Sequence, residues 1–97
     1  MAAIMALLEH AARELGLLLE HLPAGVAVDG VRVDVEQSAA KIDAELRVPP
    51  TTPIAVVAER CAERGWQLEH ASVLIDKGRI YIWISAVKRI QLEREVS

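Results

Sequence analysis

The chain has 97 residues, a formal net charge of −3 and a single cysteine, Cys61. That length makes one domain, residues 1–97. The mixed, slightly acidic charge argues against the basic stripe that non-specific nucleic-acid binding needs. One cysteine excludes an internal disulfide and a cysteine cluster for metal.

The hydrophobic fraction is 53% with only 3% aromatic, above the usual ~45–50%. The excess is therefore aliphatic. A small domain of that kind either packs closely or buries surface against a partner. Glu9, His10, Arg13 and Glu14 interrupt the apolar amino-terminal stretch, which speaks against a signal peptide or a membrane span. A cytoplasmic location is the expectation. Arg outnumbers Lys eight to three and Ala is abundant, as in GC-rich bacterial, archaeal or phage genomes.

Ala2 to Leu22 has helical periodicity, and Pro23 and Gly25 end it. On a wheel of ~100° per residue, Glu9, His10, Arg13, Glu14, Glu20 and His21 share one arc. Ile4, Leu7, Leu8, Ala11, Ala12, Leu15, Leu18, Leu19 and Leu22 fill the opposite one. That arc is wider than the ~100° stripe a surface helix needs, so this helix is expected to pack on a sheet and touch something at its flanks.

Val31, Val33 and Val35 alternate with charged residues, as do Ile42, Ala44, Leu46 and Val48. Both segments read as half-buried strands, with Asp29-Gly30 as a bulge. Charge complementarity favours the hairpin register that sets Asp34 opposite Lys41 and Arg32 opposite Asp43. Pro49-Pro50 breaks the sheet. Thr51 or Thr52 is expected to cap a second helix, with Pro53 in its first turn and Gly65 at its C′ position. Ile54, Val57, Ala58, Cys61 and Ala62 form its core face.

A second hairpin follows, turning at Lys77-Gly78. An even loop sets Ile75 opposite Ile80 and Asp76 opposite Arg79. It collects Ala71, Val73, Ile75, Ile80, Ile82 and Ile84 on one face, read as the core side. The other face collects His70, Ser72, Leu74, Tyr81, Trp83 and Ser85. Residues 88–97 either extend the last strand or form a short helix. The order αββαββ predicts an α+β domain, a four-stranded, mainly antiparallel sheet with both helices on one face.

Several groups resemble sites by residue type alone. His10, Glu14 and His21 share a helix face, but the histidines are eleven positions apart, ~16 Å along the axis. That is too far to share one ion, so a solvated polar stripe is expected and no metal. Cys61 lies on an apolar face, as a small core residue does. His70, Ser72, Ser85 and Asp76 have hydrolytic types without a group to orient the histidine. No catalytic residue and no cofactor is assigned.

Tyr81 and Trp83 carry the one functional pointer, because a half-buried strand should be polar on its second face. The outward residues around them mix Arg32, Asp34, Asp43, Glu45, Arg47, Arg79 and Lys88, which disfavours base stacking on nucleic acid. Tyr and Trp are enriched at protein contacts. The expectation is a non-enzymatic interaction or regulatory module, a homodimer meeting through Tyr81, Trp83 and Leu74, with His70, Ser72 and Ser85 around them. The alternative is a small-molecule site lined by that same face.

Overall fold

A computed structural model of the chain describes residues 2–36 and 39–91. Two helices and four strands alternate there as α1 (Ala2–His21), β1 (Ala27–Glu36), β2 (Ala39–Val48), α2 (Ile54–Glu63), β3 (Gln67–Asp76) and β4 (Arg79–Gln91). The expected α+β class and αββαββ order hold. The strands form one fully antiparallel sheet of order β1-β2-β4-β3. Each αββ unit thus gives its second strand to the centre and its first to an edge. The last strand continues through residue 91, so an extension replaces the short-helix alternative for 88–91, and residues 92–97 lie outside the described ones.

Both hairpins take the expected registers. Asp34 faces Lys41 and Arg32 faces Asp43, with the ladder shifting between Val28 and Gly30. Lys77 and Gly78 have φ of 52° and 75°, a type I′ turn whose twist matches its strands. It sets Asp76 against Arg79 and Ile75 against Ile80. A second irregularity, between Leu68 and His70, was not anticipated.

The core lies between the helices and the two central strands. Ala40, Ile42, Ala44, Leu46 and Val48 of β2 are buried, as are Ile84, Ala86 and Ile90 of β4. Alanines at 40, 44 and 86 let helix backbones approach the sheet, and Leu7, Leu18, Val57, Cys61 and Trp66 fill the layer above it. Cys61 is a core residue as expected. Burial pushes its thiol from 9.0 to about 11, which lowers the thiolate fraction at neutral pH about 100-fold. Maleimide should therefore label the native protein roughly 100-fold more slowly than the urea-unfolded chain. Equal rates would mean that Cys61 is accessible.

Four expectations need correction. The threonines do not cap α2: its N-cap is Pro53, without a side-chain bond. The Thr52 amide instead closes a turn onto the Pro49 carbonyl, so the two prolines organise this entry. The apolar arc of α1 does not meet the sheet as a whole. Leu7, Ala11 and Leu18 are buried, whereas Ile4, Met5, Leu8 and Leu19 are exposed. The helix is rotated so that its polar flank faces α2 and β4.

Lys88 stands where that polar flank meets β4. Its charge reads as outward in the sequence, yet it pairs with Ile42 on the inner face. Its ammonium contacts the Glu14 carboxylate and donates to the Arg64 carbonyl at 2.8 Å. A cation on the core side requires such partners. The stripe of His10, Glu14 and His21 is consequently a seam rather than a solvated face. Glu14 lies beside His10 at 3.7 Å, His21 bonds Glu63 at 2.6 Å, and Arg60 donates to the His21 carbonyl.

Candidate interaction surface

The last hairpin is longer than the layer that should cover it. Thirteen residues of β4 run ~43 Å at ~3.3 Å each. The ten residues of α2 span only ~15 Å. The paired ladder of β2 stops at Val48, opposite Ile82, so the hairpin end projects past the central sheet. The Cα radius of gyration, 14.7 Å, exceeds the ~13 Å of a compact 100-residue domain.

That projection overturns one burial expectation. Ala71, Val73, Ile75 and Ile80 share the core-side face with Ile82 and Ile84 but are exposed, Val73 and Ile75 at 70% and Ile80 at 53%. They form an apolar strip beyond the helices. Leu8 and Leu19 of α1 and Val31 and Val35 of β1, towards the opposite edge, are also exposed, each less so than Val73, Ile75 or Ile80.

The outer face, which carries the candidate site, is covered by long charged side chains. Tyr81, Trp83, Leu74 and Ser85 are half-buried, while His70 and Ser72 are exposed. Arg47 faces Trp83 across the β2–β4 ladder and sets its guanidinium 5.0 Å from the Tyr81 ring centroid, a cation–π distance. Its Nε donates to Asp29 at 3.0 Å and its Nη1 to Asp76 at 3.1 Å. These bonds, Asp29 first, raise the Arg47 pKa. One arginine thus ties β1 and β3 to β2 and roofs Tyr81. Lower on the sheet, Lys41 reaches Glu69 at 3.9 Å across β4, beside the buried Val87.

The hydrolytic types do not assemble. His70 faces Ser85 as expected, but the Ser85 hydroxyl donates to Asp43 at 2.7 Å. The serine proton points to a carboxylate, not to an imidazole base, so the relay that acyl transfer requires is not formed. Among the described residues no group of three His, Cys, Asp or Glu is placed to hold a metal, and no helix is long and apolar enough to cross a membrane. A pocket lined by Ala39, Ala40, Lys41 and Arg89 sits at the far end of the sheet from Tyr81 and Trp83 and does not draw on them.

The residues missed by pattern reading are Arg47, Lys88 and the uncovered aliphatics. For Arg47 the only signal is its outward alternation in β2; that β2 lies beside the aromatic strand is seen only in the structure. The unequal lengths of helix and hairpin signal that some apolar surface stays uncovered, but not that it is Val73, Ile75 and Ile80. No protein-family model matches the chain, and no curated protein or solved structure matches it at a significant level.

Proposed function

We propose that this domain is a self-associating interaction module rather than an enzyme, and that its contact is the projecting end of the C-terminal hairpin. The observation that carries this reading is the exposure of Val73, Ile75 and Ile80, on the face that helices cover elsewhere in the sheet. Branched aliphatics standing side by side on a rigid strand pair lower their free energy by leaving water, at ~25 cal/mol per Å². Contiguous exposed patches of this kind mark protein contacts. Tyr81, Trp83 and Leu74 flank this centre from the other face, where Arg47 already lies over the Tyr81 ring. The centre of the contact therefore moves from the aromatics to the aliphatics behind them.

Light scattering at tens of micromolar should give the mass of a dimer. Ile75→Lys places a charge in the contact without touching the core and should raise the dissociation constant at least ~10-fold, which is ~1.4 kcal/mol. A monomer for the parent chain across that range would refute the reading.

A further inference from the structure

We infer that the occupant of this surface is a second copy, and that the two chains join edge to edge through β3, antiparallel, about a two-fold axis at Val73. This rests on the self-association proposed above and gives it a register. Among the described residues, nothing pairs with the far side of β3. Edge strands ordinarily resist pairing through bulges, prolines or charges. The other edge, β1, follows that rule with its irregularity at Val28/Gly30 and with Arg32 and Asp34. Between the irregularity at Leu68/His70 and the turn, β3 reads His-Ala-Ser-Val-Leu-Ile-Asp. It has no proline, no lysine and no further bulge.

The turn fixes which backbone groups are free. The pair closing a two-residue turn, Asp76 and Arg79, is hydrogen-bonded, and bonded pairs then alternate along an antiparallel ladder. Ser72 and Leu74 therefore bond to β4. Ala71, Val73 and Ile75 direct their N–H and C=O groups outward.

Opposed residues in an antiparallel pair share a face, so a two-fold axis normal to the sheet must pass midway between a residue and its own copy. An axis at Val73 sets the outward groups of Ala71, Val73 and Ile75 against those of the partner's Ile75, Val73 and Ala71. It also sets His70 against the partner's Asp76 and brings Glu69 towards the partner's Lys77. An axis at Ser72 would place Glu69 against isoleucine. An axis at Leu74 would run the ladder into the turn. Only the Val73 register uses every outward group and meets unlike charges at both ends. It produces an eight-stranded sheet in which the two aliphatic strips are neighbours.

Amide exchange by NMR on the full chain tests this together with light scattering. In the dimer the amides of Ala71, Val73 and Ile75 should be protected, and on dilution below the dissociation constant they should exchange at least ~10-fold faster, while Ser72 and Leu74 stay protected. Val73→Pro removes an outward donor that β4 does not use and should give a monomer. Should proline disturb the strand, Glu69→Lys and Lys77→Glu serve instead: each alone should weaken association several-fold, and the two combined should restore it. A dimer whose Ala71, Val73 and Ile75 amides exchange freely overturns edge pairing and leaves self-association standing. A dimer abolished by Leu8→Glu, with the β3 variants silent, overturns it in favour of α1. A monomer at all concentrations refutes both readings.

Discussion

Trp66→Ala should destabilise the domain by about 3–5 kcal/mol, the range for emptying a buried aromatic site. Against the ~5–15 kcal/mol of a typical domain, that brings the chain close to unfolding at 37 °C. Trp66 is 2% exposed and follows Gly65, which reverses the chain at the end of α2. Its own amide bonds the Cys61 carbonyl at 2.8 Å. The indole therefore fills the space where helix, turn and β3 converge. Among the described residues no group accepts a hydrogen bond from its Nε1, and a buried unpaired donor costs about 1–3 kcal/mol. Trp66→Phe keeps most of the volume and removes that donor, so it should cost under ~1.5 kcal/mol. Urea midpoints of the two variants check this. A phenylalanine variant as damaged as the alanine one would show that the indole nitrogen is bonded.

The second large effect belongs to Lys88 and Glu14. Either one replaced by alanine should cost about 1–3 kcal/mol, because the other is left half-buried and unpaired. The double variant Glu14→Leu/Lys88→Met should recover most of that loss or exceed the parent, since a packed apolar pair avoids desolvating two charges. The pair also sets an acid limit. The hydrogen bond from Lys88 lowers the Glu14 pKa from 4.5 despite the opposing effect of burial. The unfolded chain therefore takes up this proton first as the pH falls. The stabilisation is complete well above 4.5 and disappears as the pH drops through the lowered folded value. Thermal melts should show a shallower decline across that window for Glu14→Gln. An unchanged acid limb would exclude Glu14 as its source.

Much of the fold is legible in the chain because local rules agree. Alternation places both hairpins, opposed charges choose the first register, and the Lys77-Gly78 parity chooses the second. Strand order is not legible in this way, because alternation says which face a residue takes and not which neighbour its strand has. Lys88 shows the same limit from the other side. In a run of Ile80, Ile82, Ile84 and Ala86 it occupies an inward position, yet its charge reads as outward until Glu14, far away in sequence, is seen to meet it. The candidate surface was legible as a hairpin with too much apolar surface. Which of its faces stays bare was not, because that depends on where α2 ends relative to the strands.

The unequal chemistry of the two sheet edges has a consequence for assembly size. A sheet with two permissive edges would add copies at both ends and grow into a filament. Here the β1 margin carries a register shift at Val28/Gly30 and the charges of Arg32 and Asp34, whereas β3 between His70 and Asp76 has neither. If copies join as proposed, through a two-fold axis at β3, the two β3 margins would consume each other. The outermost strand on either side would then be β1, and growth would terminate at two copies.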